Sequence, residues 1–188
     1  MPQHKIGECY FYSQYTGKKR IVQVTDQDRR TLSFDIETTG LKPWKHRITA
    51  IGTEDIQTRR TKTYFNENEK QLLKDFLQDF KDREYNAKLG YNIDFDTRFI
   101  MARATIHNIQ LHGFLETQRI DVMSIMQNTG HRYSTNSQPG KLGDWAKAVL
   151  NEEKLDNGSN APEMSHNQEY EKLQRYAQHD AHITAELW

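Results

Sequence analysis

Apolar residues in this chain come in short periodic groups separated by charged turns, and the period changes along its length. Up to residue 65 the groups alternate or run continuously for a few positions, which predicts strands at about 31–36, 47–52 and 61–65. Gly40 and Pro43 mark the turn between the first two. Asn66 with Glu69 three positions on predicts a helix start, after which Leu72, Leu73, Phe76, Leu77 and Phe80 recur at helical spacing. A short strand at 88–91 leads into a second helix, with Phe95, Phe99, Ala102 and Ile106 as its inward stripe. A further strand at 119–122 precedes a polar, turn-rich stretch at 128–140, expected to be an exposed loop. Leu142, Trp145, Ala146, Val149 and Leu150 then predict a helix, 156–162 a surface loop, and residues from roughly 167 to 188 a closing helix. Strands followed by helices, a meander first and parallel pairing later, predict a three-layer α/β domain over residues 31–188. Residues 1–30 form an N-terminal extension, in which Tyr10-Phe11-Tyr12 and Ile21-Val22-Gln23-Val24 predict a strand or hairpin.

Composition narrows this picture without changing it. A length of 188 residues suits one α/β domain with a proper core, and a hydrophobic share of 35% fits a small domain with much exposed surface. Lys plus Arg and Asp plus Glu both number 26, so the net charge offers no footprint for a polyanion and any such contact must be local. Lys18-Lys19-Arg20, Arg29-Arg30 and Lys45-His46-Arg47 are short basic groups that read first as solvated surface and only second as contacts. Cys9 is the sole cysteine, which excludes an internal disulfide and a multi-cysteine zinc site and leads to the expectation of an intracellular protein, in cytoplasm or nucleoid. No apolar run is long enough to cross a bilayer, and Met1-Pro2-Gln3-His4-Lys5 lacks the apolar stretch of a signal peptide, so no membrane role is expected.

Acidic residues carry the candidate chemistry. In Phe34-Asp35-Ile36-Glu37 two acids sit two apart on a predicted strand, so both emerge from one face. Their repulsion calls for a cation or a shared proton, although the pair alone also fits an exposed, acid-decorated strand end. Asn92-Ile93-Asp94-Phe95-Asp96 spans a strand-to-helix junction, where Asp94 suits an N-cap and Asp96, just inside the first turn, can point toward the first pair. In the last helix Leu173, Tyr176, Asp180, Ile183 and Leu187 share a buried stripe. A carboxylate there needs a partner, no local cation is evident, and a metal shared with the strand acids or a hydrogen bond to Tyr176 or backbone would each supply one.

Together these segments resemble the DEDD superfamily of 3′-to-5′ exonucleases, in its tyrosine subgroup, which includes the proofreading domains of family B DNA polymerases. Phe34-Asp35-Ile36-Glu37-Thr38-Thr39-Gly40-Leu41 resembles the first motif, Leu89-Gly90-Tyr91-Asn92-Ile93-Asp94-Phe95-Asp96 the second, and Tyr176-Ala177-Gln178-His179-Asp180 the third. The histidine subgroup places its histidine where this chain has Arg175. His179 lies about a hundred degrees around the helix from Asp180 and is expected to be a surface or supporting residue.

The resemblance implies a ribonuclease H-like three-layer α/β/α domain with a mixed five-stranded sheet, and residues 31–188 as the exonuclease domain. It implies two divalent cations, Mg²⁺ or Mn²⁺, held by Asp35, Glu37, Asp96 and Asp180, with Tyr176 orienting the attacking water. It further implies that Thr38, Leu41, Asn92 and Phe95 contact the terminal nucleotide, although Phe95 also fits a core stripe and Asn92 a turn. The expected partner is nucleic acid, foremost a single-stranded 3′ end of DNA, with nucleoside monophosphates released; replication or repair proteins are not identifiable. The competing readings are a 3′-to-5′ exoribonuclease, a catalytically silent nucleic-acid-binding module on the same fold, and an internal-cutting nuclease.

Overall fold

The computed structural model describes residues 9–12, 19–22, 30–111, 113–130, 140–155 and 160–188. Strands β1 (Cys9–Tyr12) and β2 (Lys19–Val22) pair antiparallel in a sheet of their own. Gln23 and Val24, part of the second predicted apolar group, lie outside the described residues.

The main sheet has five strands, β3 (Thr31–Thr38), β4 (Ile48–Asp55), β5 (Thr61–Phe65), β6 (Ala87–Gly90) and β7 (Gln118–Asp121), in the order β5-β4-β3-β6-β7. The first three form an antiparallel meander, and β6 and β7 add in parallel beyond β3. The helices are α1 (Glu69–Asp82), α2 (Ile93–Ile106), α3 (Val122–Gly130), α4 (Leu142–Trp145), α5 (Ala161–His166) and α6 (Tyr170–Leu187), with α4 running on into a π-helical turn over Ala146–Leu150. One face of the sheet packs Leu32, Phe34 and Ile36 against Leu72, Phe76 and Phe80 of α1 and Phe99 and Ile100 of α2. The other packs Ala87, Leu89 and Ala50 against Leu173, Ala177, Ile183 and Leu187 of α6. Helix, mixed sheet and helix are thus the three layers of an α/β/α domain. Among the described residues no helix is long and apolar enough to cross a membrane.

Several local expectations are corrected. The N-cap of α1 is Asn68, whose side chain accepts from the Lys70 amide, while Asn66 accepts from the Asn68 amide one step earlier. Glu69 is therefore no capping partner. It is buried, and its carboxylate accepts from the Ile48 amide (2.7 Å) and from Arg103 (2.5 Å), with His107 2.7 Å away. In α2 the buried arc is Ile93, Asp96, Thr97, Phe99, Ile100 and Ala104, and Ile106 is 54% exposed. The helix begins at Ile93, so that Ile93, Phe99 and Ile100 enter the core with Phe95 packed partly buried against it, while Ala102 is only partly buried and Ile106 turns outward. Asp94 is exposed and pairs with Arg98 and Arg119, and the N-cap position belongs to Asn92. The predicted loop at 128–140 begins as the end of α3, and its residues 131–139 lie outside the described ones. Val149 is exposed because the π-helical turn shifts the helical register at Ala146. The predicted loop at 156–162 gives way to α5 with Pro162 in its first turn, where proline's missing N–H costs nothing; residues 156–159 are not described.

The Glu69 network ties α1 and α2 to the loop that follows β3. Burial pushes the Glu69 carboxyl up, but hydrogen bonds from Arg103, His107 and the Ile48 amide more than offset it, so the group titrates below the ordinary glutamate range. A depressed carboxylate contributes stability above its unfolded pKa and loses it as pH falls through the folded value. Glu69→Gln is expected to cost about 1.5–3 kcal/mol near neutral pH, the scale of hydrogen bonds to charged groups. The cost should shrink once the pH drops below the ordinary glutamate pKa and vanish below the depressed folded value, which chemical denaturation of both proteins across acidic pH measures.

Candidate active site

Strand alternation sends Phe34 and Ile36 into the α1/α2 side of the sheet and Asp35 and Glu37 to the α6 side. Helix α6 lies close on that face. The Ser33 hydroxyl donates to the Ala181 carbonyl (2.7 Å), and the Gln178 side chain donates to the Thr53 carbonyl (3.0 Å) while accepting from the Thr63 hydroxyl (3.1 Å). Gly52 makes this approach feasible, because a Cβ there would overlap the backbone of Ala177 and Gln178. Gly52 is also the strand partner of Asp35, so this close sheet–helix approach adjoins that acid.

The consequence is convergence. Oxygen atoms of Asp35, Glu37 and Asp180 all lie within 4.8 Å of one another. Asp96 reaches the same strand from α2: beyond the end of β6 the Ile36 amide donates to the Asp96 carboxylate (3.2 Å). Asp35 is half-buried, while Glu37, Asp96 and Asp180 are only 6%, 4% and 5% exposed.

Asp121, at the end of β7, sets the turn that launches α2. Its carboxylate accepts from the Asn92 amide (2.8 Å), the Met123 amide (3.2 Å) and the Ser124 hydroxyl (2.7 Å). Asn92 takes left-handed backbone angles at this turn (φ 62°), a conformation asparagine tolerates well. Asp121 therefore holds the helix start that carries Asp96, a role with no distinct signal in the sequence.

Charge accumulates at the cluster. Burial, then Asp180, Asp96 and Glu37, hold the Asp35 carboxyl well above the ordinary aspartate range, against a smaller opposing pull from Lys154. Asp96 is pushed up to about 8, mainly by burial, against the hydrogen bonds from backbone amides. Asp180 is also raised by burial, although Lys154 pulls it down. Lys154 corrects the expectation that Asp180 lacks a local cation: its ammonium lies 2.5 Å from the Asp180 carboxylate. Burial lowers the Lys154 pKa, but Asp180, Asp35 and Glu37 raise it by more, so it stays charged. His179 contacts the Glu153 carbonyl (3.2 Å) beside it and so supports the segment that delivers Lys154. The lysine was illegible in sequence because it arrives from an irregular segment on another part of the chain; the only hint was that a buried aspartate requires a partner.

Tyr176 sits one turn before Asp180, partly buried against Ala50, Ala161, Met164 and Leu173. It borders the buried stripe, while Leu173, Ala177 and Ala181 are fully buried. Arg175 faces outward toward Glu171. Thr38 is buried and donates to the Gly40 carbonyl (3.0 Å), Leu41 is 79% exposed, Asn92 is exposed, and Phe95 packs beside Phe99 with ring centroids 5.6 Å apart.

A profile of the RNase_H superfamily matches residues 32–187, nearly the whole of the main domain. The chain belongs to the RNase_H superfamily. It is similar to an uncharacterized protein of Methanocaldococcus jannaschii, 34% identical over 134 residues that make up 70% of this chain and 73% of the relative. Its fold is similar to part of the family B DNA polymerase from the hyperthermophilic archaeon Pyrobaculum calidifontis, with a TM-score of 0.70 and 16% identity over 87% of this chain. That match spans 24% of the polymerase's length.

The donor set of this RNase_H-superfamily chain fits a hard divalent cation: carboxylate oxygens, close together and largely withdrawn from water, with Asp35 raised in pKa first by burial and then by the neighbouring acids. A second cluster, Glu54, His182 and Glu186, differs in kind. Arg59 pairs with both Glu54 (3.1 Å) and Glu186, so its charge is compensated by protein. A ribonuclease H-like domain with an acidic cluster able to hold a divalent metal supports a nuclease, and with it nucleic-acid binding.

Proposed function

We propose that this chain is a 3′-to-5′ exonuclease of the DEDD superfamily, tyrosine subgroup, that removes nucleoside monophosphates from the 3′ end of single-stranded DNA. The observation that carries this reading is the convergence of Asp35 and Glu37 from β3 with Asp180 from α6, joined through the Ile36 amide by Asp96 from α2. Tyr176, one helical turn from Asp180, completes the tyrosine-subgroup pattern. The likeness in fold to a family B DNA polymerase supports DNA as the first substrate to test.

Asp35, Glu37 and Asp180 would hold one divalent cation, Mg²⁺ or Mn²⁺, and Asp35 with Asp96 would support a second. Such a pair supplies an acidified water, neutralises the phosphate and relieves the leaving 3′ oxygen. Tyr176 orients the attacking water through its hydroxyl. Lys154 keeps a positive charge against Asp180 and moderates the repulsion among the acids. Thr38, Leu41, Asn92 and Phe95 contact the terminal nucleotide.

The test uses DNA and RNA strands labelled at the 5′ end, with Mg²⁺, Mn²⁺ or chelator. A descending ladder that needs metal and is absent in Asp35→Ala is the expected result. Faster shortening of RNA would make the chain an exoribonuclease. Immediate long internal fragments would indicate internal cutting, and bound but intact strands a silent binding module. Tyr176→Phe is expected to retain activity, with kcat reduced roughly ten- to a hundredfold and KM little changed, since one hydrogen bond to a polarised water is lost. Complete loss of turnover in a folded Tyr176→Phe protein would assign the tyrosine a proton-transfer role instead.

A further inference from the structure

The loop between β3 and β4 carries features that the carboxylate chemistry does not use. Trp44 at its tip is 68% exposed, an unusual position for the largest apolar side chain. Lys42 and Lys45 beside it are exposed, and His46 and Arg47 are partly so. No acidic residue occurs between Glu37 and Glu54, in a chain whose acids and bases balance overall at 26 each. An exposed aromatic among cations is the combination that binds single-stranded nucleic acid, the ring stacking on a base and the cations meeting the phosphates.

The loop is also built to hold that surface still. The Lys45 and His46 amides donate to the Lys42 carbonyl (2.9 and 2.8 Å), which closes the tip into a tight turn. Arg103, fixed by buried Glu69, donates to the Pro43 carbonyl immediately before Trp44 (2.9 Å). At the base, the Thr39 amide donates to the Arg47 carbonyl and the Arg47 amide to the Thr39 hydroxyl, both at 3.0 Å. A stacking ring on a fixed mount loses little conformational freedom on binding.

Position completes the case. The loop leaves β3 directly after Glu37 and Thr38 and returns at Ile48, so it rises from the strand end that carries the carboxylates. Trp44 is three residues from Arg47, whose backbone is bonded to Thr39, two residues beyond Glu37; the chain therefore keeps it within about 11 Å of Arg47. We infer that Trp44 is a stacking platform for a base of the single strand upstream of its reacting 3′ end, with Lys42 and Lys45 contacting the adjacent phosphates. This inference rests on the exonuclease reading and adds to it a residue that sets how firmly longer strands are held.

Two measurements keep the inference and that reading separable. In turnover assays, the ratio of kcat/KM for a long single strand over a dinucleotide is expected to fall roughly tenfold in Trp44→Ala, the scale of one lost base–aromatic stack. Trp44→Phe should restore most of it, and a general structural defect would lower both substrates together. An unchanged ratio in Trp44→Ala overturns the inference and leaves the exonuclease reading intact. In chelator, titration with a thymidine oligonucleotide should quench tryptophan fluorescence in the native protein, and the quench should be largely lost in Trp44→Phe, although Trp145 and Trp188 remain. A quench without turnover would overturn the exonuclease reading while supporting the Trp44 contact. A quench of the same size in Trp44→Phe, or no strand binding by the native protein, overturns the contact.

Discussion

Asp35→Asn is expected to lower turnover at least about a thousandfold and, in chelator, to raise the melting temperature. The activity loss follows from position: Asp35 shares the cluster with Glu37 and Asp180 and is the acid the others most strongly perturb. Divalent cations contribute several kcal/mol of charge stabilisation in such reactions, and about 1.4 kcal/mol corresponds to a factor of ten. The stability gain follows from sign. With metal removed, Asp35 and Asp96 hold their protons well above the pH at which they would ionise in the unfolded chain, Asp96 up to about 8. The folded state therefore binds more protons than the unfolded one, and stability falls as pH rises from about 4 toward about 8. Asn removes one such group, so the advantage of the variant over the native protein should widen with pH. Melting curves in chelator between about pH 5 and pH 8 measure this directly. An Asp35→Asn protein less stable than the native chain across that range would show that burial and the neighbouring acids do not disfavour the Asp35 charge.

Gly52→Ala is expected to destabilise the fold by about 3 kcal/mol and to lower kcat roughly a hundredfold even where the protein remains folded. An added methyl would overlap the Ala177 carbonyl and the Gln178 amide nitrogen, which are helix backbone and cannot rotate aside. Overpacking a tight core typically costs 1–3 kcal/mol, with the upper end appropriate where the obstruction is main chain. Relief requires α6 to retreat from β4, and α6 carries Tyr176 and Asp180 while β3, bonded to β4, carries Asp35 and Glu37. Displacement of a catalytic group by about 1 Å can cost a factor of a hundred. Denaturant unfolding and turnover at low temperature separate the two effects. Full activity in a folded Gly52→Ala protein would mean that the helix and the strand acids need not keep their spacing.

The strands were legible because alternation and turn residues are local signals. Thr61–Phe65 was recognisable from its own composition, and the Asp-x-Glu pair on β3 from period two alone. Helix faces were less so. Ile106 reads as core from its chemistry, yet the angle at which α2 leaves β6 decides its exposure, and that angle depends on Asp121, nearly thirty residues away from Asn92. The N-cap of α1 was misplaced by two residues because Asn66 and Asn68 offer the same side chain, and only the contact of Glu69 with Ile48 and Arg103 separates them. Lys154 was invisible for the same reason: its meaning lies in a partner distant in sequence. The convergence of acids from three elements was suggested by motif order, whereas their spacing emerges only when β4 and α6 meet at Gly52.

The most direct measurement is a Mn²⁺ titration of the native protein and of Asp180→Asn near neutral pH, followed by the loss of the free-ion resonance signal. The account predicts two bound ions per native chain, proton release on binding, and a marked loss of affinity in the variant. Equal Mn²⁺ binding by native protein and variant, or none by either, would contradict it.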